Sequence, residues 1–253
     1  MPPPPHPALV QHLKAARRIF IFAGAGISTG SGIPDFRGPQ GIWKTRQPVY
    51  YDDFMSSEAA RIEYWDFKLE TWERYHSARP NPAHFAIARL EAAGRVEAVV
   101  TQNIDGLHEL AGTSREKLVE IHGTDRWIAC QTCGEMTEPG PHFDTFRQTR
   151  KPPRCHCGGF LKPATISFGQ RLREEDLQRA ARAAQHADLV LALGSTLSVY
   201  PAAHFPLLAA ERGAPYVIIN RGETEHDHLP CLTLRLEGDV AEILPPAIDA
   251  ALA

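Results

Sequence analysis

At 253 residues the chain is long enough to bury a sizeable core in one domain and to form a smaller second one. Its 27 Lys and Arg against 30 Asp and Glu leave a formal charge of −3, which excludes a global pull toward nucleic acid or anionic membrane and leaves room only for a local basic patch. No apolar run approaches the length of a transmembrane helix.

The first residues, Met1-Pro2-Pro3-Pro4-Pro5-His6-Pro7, lack the basic start and apolar stretch of a secretory signal. Residues 1–7 are expected to be a disordered, dispensable tail, and the protein to be a cytoplasmic one. Ile19-Phe20-Ile21-Phe22-Ala23 predicts a buried strand running into the glycine loop Gly24-Ala25-Gly26-Ile27-Ser28-Thr29-Gly30-Ser31-Gly32. Residues 40–51 and an amphipathic helix over 59–76 fall outside the strand–helix alternation and predict a helical or loop-rich cap. A surface helix over 82–93 leads to a second strand, Ala98-Val99-Val100-Thr101, and Leu118-Val119-Glu120-Ile121 is strand-like up to His122. Beyond the cysteines, a helix over 173–184 precedes Leu189-Val190-Leu191-Ala192-Leu193 and Tyr216-Val217-Ile218-Ile219, which end in Gly194-Ser195-Thr196 and Asn220-Arg221-Gly222. This alternation predicts an α/β fold, a Rossmann-like parallel sheet covered on both faces, with ligands at the C-terminal strand ends. The expected division is 8–38, 81–123 and 167–253 for a discontinuous nucleotide-binding domain, 39–80 for the cap and 124–166 for a zinc-binding module.

Four cysteines, Cys130-x2-Cys133 and Cys155-x-Cys157, carry the spacing of a structural zinc site, since each tight turn supplies thiolates to a tetrahedral ion. Gly134 and Gly158-Gly159 let the turns approach the metal, and His156 must point away or compete as a ligand. Two disulfides or free thiols are the alternative readings, which a reducing compartment disfavours for the former. Four protein ligands leave no open position for chemistry. Cys231 reads as a small buried apolar residue.

The loop after the first strand can cradle a pyrophosphate, but Thr29 stands where a dehydrogenase fingerprint has Gly or Ala, and no acidic residue follows at the usual distance. A longer combination is more specific. Gly24-Ala25-Gly26-Ile27-Ser28 runs into Gly32-Ile33-Pro34-Asp35-Phe36-Arg37, followed by Thr101-Gln102-Asn103-Ile104-Asp105-Gly106-Leu107-His108, by His122-Gly123, by the cysteines, and by Phe168-Gly169, Gly194-Ser195-Thr196 and Asn220-Arg221-Gly222. This set resembles the sirtuins, NAD-dependent protein lysine deacylases, over essentially the whole chain after the proline tail, and the compact length is similar to bacterial members.

The resemblance implies a Rossmann-type domain, a smaller domain from zinc-binding and helical insertions, and an active site between them. It implies NAD as co-substrate, a structural Zn2+ and acyl-lysine proteins or peptides as substrates; charge and hydropathy give no reason to expect a membrane or direct nucleic-acid partner, and nothing in the sequence demands more than a monomer. The amide oxygen of acyl-lysine would attack C1′ of the nicotinamide ribose, so the site must bury nicotinamide, exclude water and supply a base. His122 would be that base and Asn103 would position the ribose and a water. Gln102, Asn103, Ile104 and Asp105 would line the nicotinamide and ribose pocket, with Asp35, Phe36 and Arg37 as a mobile cofactor loop. Gly24, Ala25, Gly26, Ser28 and Thr29 would contact phosphate or ribose, and Gly194, Ser195, Thr196, Asn220, Arg221, Gly222 and Val240 the rest of the nucleotide. Ile166, Ser167, Phe168 and Gly169 would pair with the substrate peptide as an added strand.

Blander roles stand beside these. His84, His186 and His204 read as surface or core residues and His108 as structural, while Asn103 and Asp105 could cap a helix beginning near Gly106. Tyr64, Trp65, Phe67, Trp72 and Tyr75 read as cap packing. Members that prefer succinyl- or malonyl-lysine carry a Tyr-x-x-Arg pair on the cap helix, and none occurs between positions 50 and 79. Counting back from Pro80 puts Trp65 and Lys68 there; a lysine offers a point charge and not a fork of donors, so neutral acyl groups, acetyl first, are expected. Gln170 stands where the family commonly has Glu. An ADP-ribosyltransferase or glycohydrolase, and a nonenzymatic NAD sensor or scaffold, are the alternative functions.

Overall fold

The computed structural model describes residues 4–35, 41 and 46–253. Among them, six strands form a parallel sheet: β1 (Ile19–Ala23), β2 (Val96–Thr101), β3 (Leu118–Glu120), β7 (Leu189–Leu193), β8 (Tyr216–Asn220) and β9 (Leu234–Glu237), in the order β3-β2-β1-β7-β8-β9. A three-stranded antiparallel sheet contains β4 (Gly123–Cys130), β5 (Met136–Thr137) and β6 (Leu161–Thr165), with β4 central.

The large sheet is buried on both faces, and the period of two along each strand sorts side chains between two cores. Ile19, Ile21, Leu189, Leu191, Val217 and Ile219 point to one face, covered by α1 (Pro7–Ala15), α4 (Pro82–Ala92) and α9 (Val240–Leu252). Phe20, Phe22, Val190, Ala192, Tyr216 and Ile218 point to the other, covered by α7 (Glu174–His186) and α8 (Phe205–Ala210). Each Val, Leu, Ile or Phe side chain among these contributes about 1.5–3 kcal/mol when removed from water, which is why the inward positions are so uniformly apolar. Pro7, expected in the tail, instead opens α1, where its missing N–H costs nothing.

In sheet order the strands follow the 3-2-1-4-5-6 pattern, with direction reversing between β1 and β7, the topological switch point of a doubly wound fold. The loops leaving these two strands touch backbone to backbone. A Cβ on Gly26 would lie 2.7 Å from Gly194 Cα, and one on Gly194, whose φ is +62°, would lie 2.3 Å from Ile27 N. Glycine at both positions is therefore a packing requirement of the junction.

The smaller body joins α2 (Tyr51–Ser56) and the long α3 (Glu58–Ser77), capped by Ser57, to the antiparallel sheet and α6 (Pro139–Thr149). Phe54, Tyr64, Trp65, Ile128, Phe143, Phe146 and Leu161 form one core, so cap and cysteine module share their interior. The helix is less one-sided than an amphipathic surface helix, and it buries Arg61 and Lys68 beside Tyr64, Trp65 and Tyr75. Trp65 and Trp72 serve packing, Trp72 stacking on Phe143 at 4.4 Å, whereas Phe67 faces the cleft.

Candidate active site

The four cysteines come from the end of β4 and the loop before β6. Cys130 Sγ lies 3.5 Å from Cys157 Sγ and Cys133 Sγ lies 3.8 Å from Cys155 Sγ, with all four sulfurs within 4.8 Å of one another. A disulfide needs about 2.05 Å, whereas a tetrahedron of thiolates about 2.3 Å from zinc has edges of about 3.8 Å. The set therefore fits a zinc ion and not two disulfides. The N–H groups of Thr132 and Cys133 donate to Cys130 Sγ, as a thiolate ligand requires. His156 stays at the edge of the cluster, its Nδ1 3.0 Å from Glu135 Oε2 and 3.6 Å from Cys155 Sγ. None of the cysteines lines the cleft described next. Cys231 is half-buried against the α7–α8 core.

Between the two bodies, at the C-terminal ends of the parallel strands, lies a cleft of about 370 Å³. Its sheet side is lined by Gly24, Ala25, Gly26, Thr29, Asp35, Gln102, Asn103, Ile104, His122, Gly194, Ser195, Thr196, Asn220, Arg221 and Val240. Its far side is lined by Ile166, Ser167, Phe168, Gly169 and Lys68. The structure thus gathers most sequence-expected site residues into one cavity. Ser28 and Asp105 lie beneath its floor, buried, and Gly222 lies outside it. Trp65 points into the cap core and donates to Leu161 O at 3.1 Å. Phe36 and Arg37 lie outside the described residues.

A buried polar chain organises the floor. Asn103 Nδ2 donates to Gly24 O at 3.1 Å and Ser28 Oγ at 3.0 Å, and Ser28 Oγ donates to Asp105 Oδ2 at 2.7 Å. Asp105 Oδ1 accepts from Leu107 N at 2.9 Å, so this aspartate takes the first N–H of the short α5 (Leu107–Leu110), whose N-cap is Gly106, while also orienting Ser28. Burial raises the Asp105 pKa, and the two hydrogen bonds oppose the rise. Gln102 Nε2 donates to Ser195 Oγ at 2.7 Å, linking the β2 and β7 loops across the switch point. At the β8 end, Asn220 Nδ2 bonds Arg221 O and Gly222 O, and Arg221 pairs with Asp239, the N-cap of α9.

His122 lies in the two-residue turn between β3 and β4. Its Nδ1 lies 3.1 Å from Gln102 O, and a carbonyl can only accept, so Nδ1 carries the proton and Nε2 is the basic nitrogen. Gly123, at φ +72°, lets β4 and β6 come together; a Cβ there would lie 2.1 Å from Ala164 O. His122 O accepts from Ile166 N at 2.7 Å, and Phe168 O accepts from Tyr51 N at 2.9 Å, which ties the 166–169 segment to both bodies. Gln170 Oε1 accepts from Ser167 N at 3.1 Å.

Sequence reasoning missed Tyr64, Thr71, Tyr75 and Asp125, all of which line the cleft. The helical period held the signal for three of them, because Tyr64, Lys68, Thr71 and Tyr75 fall on one stripe of α3.

A doubly wound nucleotide-binding sheet, a histidine with a fixed tautomer at its strand ends and a four-thiolate module across the cleft define a dinucleotide-dependent enzyme with a zinc-stapled second body. The Sir2 family model matches residues 24–201. An NAD-dependent protein deacetylase of Rhodopseudomonas palustris is 44% identical, covering 92% of this chain and 92% of the relative. One of Haloarcula marismortui is 39% identical over 96% of this chain and 93% of its own. Among solved structures, a Sir2 variant with deacetylated p53 peptide and 3′-O-acetyl-ADP-ribose superposes with a TM-score of 0.87 at 36% identity, covering 96% of each chain. The chain belongs to the Sir2 family.

Proposed function

We propose that this protein is an NAD-dependent protein-lysine deacetylase, which moves the acyl group of lysine onto ADP-ribose and releases nicotinamide. The observation that carries the reading is the placement of His122 Nε2 as the basic nitrogen in a cleft shared with Asn103 and the 166–169 segment. Named relatives with this activity at about 40% identity support it. Bound NAD supplies a ribose carbon that takes the acyl oxygen as nicotinamide leaves. His122 holds Nε2 toward the ribose hydroxyl and takes its proton there. Asn103, fixed through Nδ2, keeps its side-chain oxygen as an acceptor for the ribose or a water. Gln102 and Ser195 hold the two halves of the nucleotide site together, and Asn220, Arg221 and Val240 receive the adenosine end. Peptide adds as a strand along 166–169, with Phe168 and the cap excluding water from the reacting groups. The four thiolates hold zinc as a brace with no open position. The preferred acyl group is neutral, acetyl first, and the enzyme acts in the cytoplasm on protein rather than nucleic acid.

The test is His122→Ala. Turnover of an acetyl-lysine peptide is expected to fall by roughly 10²–10⁴-fold, the usual worth of a general base, while NAD binding and zinc content are retained. Unchanged turnover would contradict the assignment. Nicotinamide release without peptide deacetylation in the wild type would instead make the protein a glycohydrolase or ADP-ribosyltransferase.

A further inference from the structure

The nucleotide site occupies the strand ends, so the space left for an acyl chain is the cap side of the cleft, bounded by Tyr64, Lys68, Asp125, Thr165 and Ile166. A lysine there invites an acyl group bearing a carboxylate. That lysine is already matched. Lys68 Nζ donates to both oxygens of Asp125, at 2.9 and 3.2 Å, with the two side chains only 9% and 15% exposed. Asp125 is itself pinned, because its backbone N–H donates to Ile104 O at 2.8 Å, next to Gln102 and Asn103. Burial works against the Lys68 ammonium, but the neighbouring Asp125 carboxylate outweighs it and the Lys68 pKa is raised, so the ammonium stays charged.

The surroundings make Asp125 decisive. A second buried lysine, Lys162, has its Nζ 5.8 Å from the Tyr64 ring centroid, against 5.9 Å for Lys68. Lys162 Nζ is held by neutral groups, the carbonyls of Pro163 and Thr165 and the Gln170 side chain. The Tyr64 hydroxyl shares a 3.2 Å bond with Thr165 Oγ1. Lys68 and Lys162 thus flank one tyrosine; burial lowers the Lys162 pKa, and Asp125, which lines the cleft beside Lys68, is the carboxylate that Lys68 touches. Loss of that carboxylate strands positive charge in a poorly hydrated wall, where an incoming anion replaces the missing partner.

We infer that Asp125 is a specificity-determining residue, which occupies Lys68 so that the acyl end of the cleft accepts neutral groups and turns away carboxylate-bearing ones such as malonyl and succinyl. The inference rests on the deacylase reading above.

The experiment compares kcat/KM on acetyl-lysine, succinyl-lysine and succinamoyl-lysine peptides of one sequence, the last being the neutral amide isostere of the second. Wild type is expected to process the amide at least about tenfold better than the carboxylate, the worth of one unmatched charged hydrogen bond. Equal use of both overturns the inference without any variant having to fold. Asp125→Asn is expected to raise the succinyl-to-acetyl ratio on the order of tenfold or more, and Lys68→Met combined with Asp125→Asn to abolish the gain. A ratio unchanged by Asp125→Asn overturns the inference, as does a gain that survives loss of Lys68. If Asp125→Asn does not fold, the wild-type comparison decides alone. Wild type that removes none of the three groups overturns the deacylase reading, and this one with it, whereas acetyl turnover without charge discrimination sinks this one only.

Discussion

His122 owes its tautomer to a main-chain carbonyl, and Asn103 owes its orientation to the Gly24 carbonyl and a buried serine. Ser28 is fully buried, accepts from Asn103 and donates to Asp105, so it transmits the position of a buried carboxylate to the cleft floor. Replacing Ser28 with Ala leaves Asn103 with Gly24 O alone and Asp105 with Leu107 N alone. We expect a stability loss of about 1–3 kcal/mol, the cost of unmatched buried polar atoms, together with a several-fold rise in KM for NAD. Thermal denaturation and steady-state kinetics read the two separately, and a variant changed in neither would remove Ser28 from the account. At this scale the sequence motifs were informative where short ordered runs meet a strand end, as at 101–105 and 194–196. They were uninformative across the cleft, because the Lys68–Asp125 pair joins residues far apart in the chain, and counting back from Pro80 selected Trp65 while the helix presents Tyr64.

The helix α4 is joined to the nucleotide loop through its cap. Asn81 accepts from Ala83 N, donates through Nδ2 to Ile27 O at 2.7 Å and to Ser31 Oγ at 3.0 Å, and its backbone N–H donates the reciprocal bond to His84 Nδ1 at 3.3 Å. His84 meets His108 of α5 edge to face at 4.8 Å, and His84 Nε2 and both His108 ring nitrogens have no hydrogen-bond partner among the described residues. Burial lowers His84 to about 4 and His108 well below its usual 6.5. Both depressions mean that the unfolded chain binds protons the folded chain refuses. Their stability contribution is present above about pH 6.5 and is lost as pH falls toward 4. Burial holds Glu120 at about 7, in the opposite sense, since the folded state keeps a proton there that the unfolded state has released. A difference between variants isolates the histidine part. In urea denaturation between pH 4.5 and 6, His108→Leu is expected to flatten the acid loss by up to about 1.4 kcal/mol per pH unit relative to wild type, one proton's worth; parallel curves would show that His108 does not titrate on unfolding. The sequence reading of His108 as structural agrees with its burial, but nothing in the sequence announced that two histidines from successive helices would meet. Long apolar runs made β1, β7 and β8 legible, whereas β9, α9 and the strands of the cysteine module are short or mixed in pattern and take shape from their packing.

Across the whole molecule, the cap and the zinc module are one folding unit, because Trp65 and Tyr64 of α3 share a core with Ile128, Phe146 and Leu161. The cleft has one wall on each body. Removing zinc therefore reaches the active site through α3 and the 166–169 segment, with no chemistry at the metal itself. Treatment with a thiol-reactive mercurial and a zinc-binding dye is expected to release one zinc per chain, to abolish turnover and to strip hydrogen-exchange protection from α3 and β4 while β1, β7 and β8 stay protected. Full activity in the zinc-free protein, or loss of protection spread evenly over both bodies, would contradict this division. Among the described residues no helix is long and apolar enough to cross a membrane.

The most direct test of the central claim is the product balance of one reaction. Purified protein with NAD and an acetyl-lysine peptide, resolved by mass spectrometry over time, should give deacetylated peptide, nicotinamide and O-acetyl-ADP-ribose in equal amounts. Deacetylation that yields free acetate without nicotinamide, or that proceeds in the absence of NAD, would contradict the account.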